Sequence, residues 1–359
     1  MKNTVWAISL VSVSLWVSVI VVDVIVYALY VSPPPPLKGL YTVDEEIDFK
    51  LTPSFSGTLF TRGPSATIKI NTKGFRGPEW QLGDKPRIVI TGDSFTFGLP
   101  LDYEQGFVSK LSNKNPSFEF LNLGVPGYGP IHIAKTLERT CTEIVPKHTF
   151  YMFYLNDTRA NNISAGYRTV IDGYLILKLD KDGNTLSRTE LEKKIDKPNH
   201  NQWQVLDSLK FLNIRTFLSE RGIHPRQIYE RLSNSKEVDT QRYIATKFTD
   251  NDNYSAENVE VAANQIIGMA SNAENCGSKF TMVVLPSYAE AYYETIEPAT
   301  ELLLEKLSIA NIDVLDLRQF TRPALSLVQW YDAHYSPLGT DLVSNVLGGY
   351  IQGLYGAKP

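Results

Sequence analysis

The run Arg87-Ile-Val-Ile-Thr-Gly-Asp-Ser-Phe-Thr-Phe-Gly98 decides the fold. Ile88, Val89 and Ile90 stand together between a charge and a glycine, which predicts a short buried strand over Arg87 to Thr91. The strand leads straight into Gly92-Asp93-Ser94. A serine at the end of a central parallel strand sits at the carboxyl edge of the sheet, where open α/β sheets keep their sites. Gly92 lets the backbone turn tightly, and Gly98 keeps the far side of the turn uncrowded. The plain alternative is a strand end followed by an ordinary serine helix cap. The rest of the chain separates the two.

Working outward, helices and strands alternate. A helix is predicted from about Tyr103 to Ser112, a second strand over Phe118 to Leu123 and a helix over Ile131 to Ile144. A third strand covers Thr149 to Leu155 and ends in Asn156-Asp157. The rhythm breaks between 158 and 254, which reads as an insertion at the carboxyl edge of the sheet. Within it, Tyr174 to Lys178 followed by Asp180 to Asn184 predicts a hairpin, Trp203 to Leu218 a helix, and Arg221 to Asp252 is polar and charged. The alternation then resumes. A helix spans Ala256 to Ala273, a fourth strand Lys279 to Leu285, a helix Ala299 to Ile309 and a fifth strand Asp313 to Leu317. Tyr331-Asp-Ala-His-Tyr-Ser-Pro337 opens a last helix, with Ser336 as cap and Pro337 as first helical residue. Strands alternating with helices specify an α/β fold with a doubly wound parallel sheet.

Ahead of this core lie three other materials. From Val5 to Val31 the chain is almost wholly apolar over 27 residues, enough to span a bilayer with some tilt. No small-x-small cleavage site follows, so residues 1–31 read as an uncleaved transmembrane signal anchor. Asp23 inside the run is expensive in lipid and would face a partner helix or snorkel to an interface. Lys2 precedes the span, whereas Asp44, Glu45, Glu46 and Asp48 follow it, which puts the N-terminus in the cytoplasm and the main domain outside. Residues 32–40 hold four consecutive prolines and form a semi-rigid linker. Residues 41–85 carry short alternating runs punctuated by glycines, a small β element closed by the loop 71–77.

Composition excludes several functions. A net charge of −4 without a basic block argues against a nucleic-acid partner. The five histidines show no metal-helix spacing, and the two cysteines, Cys141 and Cys276, form no C-x-x-C motif, so no metal is expected. Gly124, Gly127 and Gly129 lack the spacing of a dinucleotide fingerprint, and no P-loop lysine follows them, so no cofactor is expected.

What remains is a constellation. Ser94, Gly127 and Asn156 each follow a strand at one edge of one sheet, and His334 sits on the last loop. Serine needs a base within hydrogen-bond reach to act as a nucleophile. His334 suits that task, with Asp332 available to orient its ring. Acyl transfer also needs donors for the developing oxyanion. The backbone N–H groups of Ser94 and Gly127 and the Asn156 amide would supply three.

The segments G-D-S-F-T-F-G, N-L-G-V-P-G, Y-L-N-D and D-A-H-Y-S-P-L-G resemble, in order, the four blocks of the SGNH (GDSL-type) hydrolases. The resemblance covers 87 to the C-terminus less the insertion, so 41–359 is read as an SGNH hydrolase-like domain. It implies a flavodoxin-like five-stranded sheet in order 2-1-3-4-5, with Ser94 as nucleophile, His334 as base, Gly127 and Asn156 in the oxyanion hole and Asp93 bracing the loops. Two positions depart from the pattern. Tyr154 stands where the third block usually has glycine, and Tyr331 where the fourth usually has aspartate. Asp332 lies two before His334 instead, a D-x-H spacing similar to SGNH-like enzymes that acetylate exported polysaccharides.

In that strand order, right-handed crossovers put the helices before strands three and four side by side, with Cys141 and Cys276 near the bottom of the sheet. Outside the cytoplasm such a pair can oxidise, given Cα atoms within about 7 Å. Otherwise Cys141 is a helix core residue and Cys276 a loop thiol. Two functional readings follow. One is a membrane-anchored extracytoplasmic serine esterase or O-acyltransferase, with acylated glycans as candidate substrates. The other is an SGNH-like accessory subunit of a membrane assembly, without turnover.

Overall fold

The computed structural model describes residues 37–61, 63–159, 162–179, 184–194, 255–287, 290, 297–320, 327–328 and 334–356, with residues 6, 11–15, 17–18 and 21 near the N-terminus. Alternating side chains first build two small hairpins: β1 (Tyr41–Val43) with β2 (Phe49–Leu51), and β3 (Ser56–Leu59) with β4 (Ala66–Lys69). Phe49 and Leu51 point inward and Lys50 outward, as the two-residue strand period requires.

The core follows. Its elements are β5 (Arg87–Gly92), α1 (Ser94–Phe97), α2 (Phe107–Lys114), β6 (Glu119–Asn122), α3 (Pro130–Ile144) and β7 (His148–Phe153). A hairpin of β8 (Arg168–Ile171) and β9 (Tyr174–Leu177) comes next, then α4 (Arg188–Lys194). The chain continues through α5 (Ala256–Asn275), β10 (Lys279–Val284), α6 (Pro298–Ile309), β11 (Val314–Asp316) and α7 (Pro337–Tyr355).

Five strands form one parallel sheet in the order β11-β10-β7-β5-β6. Counted along the core, that is the flavodoxin-like order 2-1-3-4-5. Both faces are covered, which explains the unbroken apolar runs in the strands. Val89, Tyr151 and Met282 pack under Ile133 and Leu137 of α3, Ile266 of α5 and Leu303 of α6. Ile88, Ile90, Phe150 and Met152 face Phe107 and Leu111 of α2 and Val343 and Leu347 of α7. Ile90 pairs with Phe150 and Asn122, so the carboxyl ends of β5, β6 and β7 lie level.

Several predicted boundaries move. The helix over Tyr103 to Ser112 is a 3-10 turn, Tyr103–Gln105, then α2, because Gly106 is extended between them. The hairpin in the insertion turns at Asp172-Gly173, both left-handed at φ 51° and 81°. Asp-Gly with two positive φ values is the two-residue turn that matches strand twist. A single antiparallel bridge pairs Leu179 with Thr185, and Asp180 to Gly183 of the predicted hairpin lie outside the described residues. The β8–β9 hairpin docks on the N-terminal β element, where Gly39 N–H donates to the Gly173 carbonyl at 2.8 Å. Cys141, in the last turn of α3, is bonded to Cys276 at the end of α5, with Cα atoms 6.1 Å apart. Most of the apolar run Val5 to Val31, with Asp23, and the helix over Trp203 to Leu218 lie outside the described residues. Among the described residues no helix is long and apolar enough to cross a membrane.

Glycine spacing yields a paired test. A Cβ on Gly124 would stand 2.4 Å from Phe97 N and 2.7 Å from the Thr96 carbonyl carbon, both backbone atoms that cannot swing aside. Gly268, inside α5, has nothing within 4 Å of that position. Gly124→Ala should destabilise by about 1–3 kcal/mol in urea unfolding, whereas Gly268→Ala should stabilise by up to about 1 kcal/mol.

Candidate active site

The end of β5 is shaped by what a side chain would strike. A Cβ on Gly92 would meet Thr96 Oγ1 at 2.2 Å and the Met152 carbonyl at 2.9 Å. The chain therefore passes close to β7 and turns at once into α1. Asp93 caps that turn by accepting the Phe95 N–H at 2.9 Å. Gly98 closes it at φ 91°, donating its N–H to the Ser94 carbonyl at 3.0 Å. Ser94 is thus the first helical residue, at the carboxyl edge, and 9% exposed. Asn122 ties the next loop on, donating to the Thr96 carbonyl and accepting the Gly124 N–H.

His334 reaches Ser94 from the far end of the chain, with Nε2 2.7 Å from Ser94 Oγ. Its neighbours set its position. Tyr335 is buried and donates to the Pro286 carbonyl at 3.0 Å, and Ser336 N–H donates to the Leu327 carbonyl at 2.9 Å. Ser336 Oγ caps α7 by accepting the Gly339 N–H. The His334 ring lies on Phe95, centroids 4.8 Å apart, and Phe95 stacks on Tyr154 at 3.8 Å. Tyr154 is therefore accommodated against Phe95, the residue that follows Ser94.

Beneath them sit two buried carboxyls. Asp93, 1% exposed, also accepts Asn156 Nδ2 at 3.0 Å, so one carboxylate joins the ends of β5 and β7. That leaves the second N–H of the Asn156 amide for another acceptor. Asp157, 0% exposed, accepts Tyr151 Oη–H at 2.7 Å and the Tyr154 N–H at 3.2 Å on one oxygen. Among the described residues its other oxygen has no partner. Burial pushes the Asp157 carboxyl well above the usual range, and the nearby Asp93 adds to this. Burial also raises Asp93, but its two N–H donors and His334 pull it back.

The sheet edge thus brings Ser94, Asp93, Asn156 and His334 together. Gly127, at φ 88°, lies on the loop after β6, and a Cβ there would face Phe49 at 3.4 Å, Leu175 at 3.5 Å and Arg168 Nε at 3.9 Å. Asp332 lies outside the described residues. Cys141 and Cys276 belong to the lower half of the helical layer, away from this edge. His132 and His148 are structural. His132 stacks on Tyr128, His148 on Phe150, and burial holds each ring neutral, at about 4. Among the described residues no group of three His, Cys, Asp or Glu side chains could hold a metal. Sequence reasoning overlooked Asp157, Asn162 and Arg168. The Asn156-Asp157 pair after an apolar strand and the Asp172-Gly173 turn were the available signals.

No family model and no curated protein matches the chain. Solved structures similar to it include a lipase/acylhydrolase from Enterococcus faecalis, at 13% identity and TM-score 0.41, covering 76% of this chain and 99% of that one. A member of the lipolytic protein G-D-S-L family from Veillonella parvula aligns at 12% identity and TM-score 0.37, covering 76% and 99%. A psychrotrophic esterase from Pseudoalteromonas sp. aligns at 10% identity and TM-score 0.39, covering 75% and 98%. At these values the likeness carries no chemistry across, and the site is read from its own geometry.

The raised Asp157 carboxyl has a measurable sign. Below the unfolded value, near 4, both states hold the proton. As pH rises the unfolded chain ionises first, so the fold loses stability until its own higher value is passed. Asp157→Asn has no such titration. Its stability relative to wild type should improve as pH rises above the unfolded value, by at most about 1.4 kcal/mol per pH unit, until the folded value is passed. Urea melts of both proteins across that range check this; a pH-independent difference would show Asp157 to be ionised in the fold.

Proposed function

We propose that this protein is a serine esterase or O-acyltransferase of SGNH type, working through an acyl-enzyme on Ser94. The observation that carries the reading is the 2.7 Å contact between His334 Nε2 and Ser94 Oγ. At that distance the imidazole can take the hydroxyl proton as Oγ attacks an ester carbonyl carbon. The carbonyl π pair moves onto oxygen, and the N–H groups of Ser94 and Gly127 and the remaining Asn156 N–H stabilise that charge. His334 then protonates the departing alkoxide as the C–O bond breaks. Water, or a hydroxyl of an acceptor, enters by the reverse sequence and frees the serine. Asp332 is assigned the orienting of the His334 ring.

The remaining features suit an exported, membrane-anchored enzyme acting on acylated glycans. Trp6, Val11, Leu15 and Val17 are helical and more than half exposed, which suits an apolar segment built for lipid rather than for the domain core. The Cys141–Cys276 bond suits an oxidising compartment. Asp23 is assigned a partner helix in the membrane.

Two experiments test this. A fluorophosphonate should label wild type but not Ser94→Ala, and His334→Ala should lose turnover. Asn156→Ala should lose roughly 10²–10³ in kcat on a small aryl ester. Absence of labelling and of turnover on every ester tried would favour an accessory subunit instead. For topology, protease added to intact cells or spheroplasts should digest residues 32–359. Digestion only after lysis would reverse the assigned orientation.

A further inference from the structure

Asn162 lies on the first turn of the insertion, 5% exposed, and touches both loops that frame the proposed oxyanion site. Its Nδ2 donates to the Asn156 carbonyl at 2.7 Å. Its backbone is pressed on the other loop, two residues beyond Gly127. A Cβ on Gly129 would stand 2.3 Å from the Asn162 carbonyl oxygen and 2.6 Å from Asn162 Cβ, so only glycine fits there. The turn carrying Asn162 is itself held down. Its N–H donates to the Arg159 carbonyl at 2.8 Å, and Gln265 Nε2 of α5 donates to the Ile163 carbonyl at 2.7 Å.

The orientation of the Asn162 amide is determined by its two neighbours. Arg168 Nη2 donates to Asn162 Oδ1 at 2.8 Å. A guanidinium only donates and a backbone carbonyl only accepts, so the oxygen must face Arg168 and the NH2 must face Asn156. Arg168 is anchored in turn. Asp48 of the N-terminal β element accepts the Gly166 N–H at 2.7 Å and the Arg168 N–H at 3.4 Å. The Arg168 Nε then stands 3.9 Å from where a Gly127 Cβ would be.

We infer that Asn162 is a positioning residue for acyl transfer: it sets the spacing of the Gly127 and Asn156 loops, and Arg168 locks its amide in the working orientation. The inference rests on the function proposed above. It gives the start of the insertion and the N-terminal β element a part in the chemistry.

Asn162→Asp is nearly isosteric and keeps the contact with Arg168, but it turns an oxygen toward the Asn156 carbonyl. The test measures the rate of Ser94 labelling by a fluorophosphonate, together with kcat and KM on p-nitrophenyl acetate. Labelling and kcat should both fall roughly tenfold, the worth of one hydrogen bond, with KM little changed. In an Asn156→Ala background the same substitution should have a smaller further effect, because one of the two groups being positioned, the Asn156 amide, is gone while the Gly127 N–H remains. Arg168→Met leaves Asn162 in place and should lower kcat by less. Wild-type rates in Asn162→Asp, or an undiminished effect in the Asn156→Ala background, overturn the inference while leaving the serine mechanism standing. Should Asn162→Asp not fold, wild-type kcat in Arg168→Met overturns it. A wild type that never labels overturns the mechanism, and the inference with it.

Discussion

The Asp93 carboxylate is the constraint on which the site depends. Burying a carboxylate costs several kcal/mol unless hydrogen bonds replace its water. Here the Phe95 N–H and the Asn156 amide do so. Because those donors belong to the turn after β5 and the turn after β7, meeting the carboxylate's needs also sets the distance between Ser94 and the Asn156 amide. Asp157 lies close enough to feel the Asp93 charge, and the apolar strands around it supply few donors. One carboxyl is well solvated by the protein and the other poorly, which drives their ionisation apart.

The N-terminal β element is bound into this arrangement from the outer side. Arg76 is buried and donates to the carbonyls of Phe97, Gly98 and Leu101, the chain leaving the Ser94 turn. Its guanidinium also lies over the Phe97 ring, 4.8 Å from the centroid. Burial lowers it to about 10, still charged at neutral pH. Tyr128 Oη–H donates to the Phe49 carbonyl at 3.0 Å, joining the same element to the loop after β6. A segment that reads as a minor appendage therefore braces both the Ser94 turn and the neighbouring loop after β6.

Much of the sheet was legible because it rests on local rules. Val89 facing one layer and Ile88 and Ile90 the other needs only the strand period and a sheet covered on both faces. Ser336 and Pro337 marked the start of α7 because capping is a property of adjacent residues. The turn at Asp172-Gly173 was overlooked for the opposite reason. Asp180 to Asn184 is the more polar cluster, but Asp172-Gly173 has the backbone freedom that a two-residue turn demands.

The sequence by itself determined the alternating elements, the sheet class and the candidacy of Ser94, Asn156 and His334, because periodicity, caps and ordered motifs are written along the chain. Only the tertiary structure decided that His334 meets Ser94 across 240 residues of separation. It alone paired Cys141 with Cys276, and set Asn162 between two loops with Arg168 behind it. Such contacts join residues distant in sequence, and they form only when packing brings buried donors to buried acceptors that water can no longer satisfy.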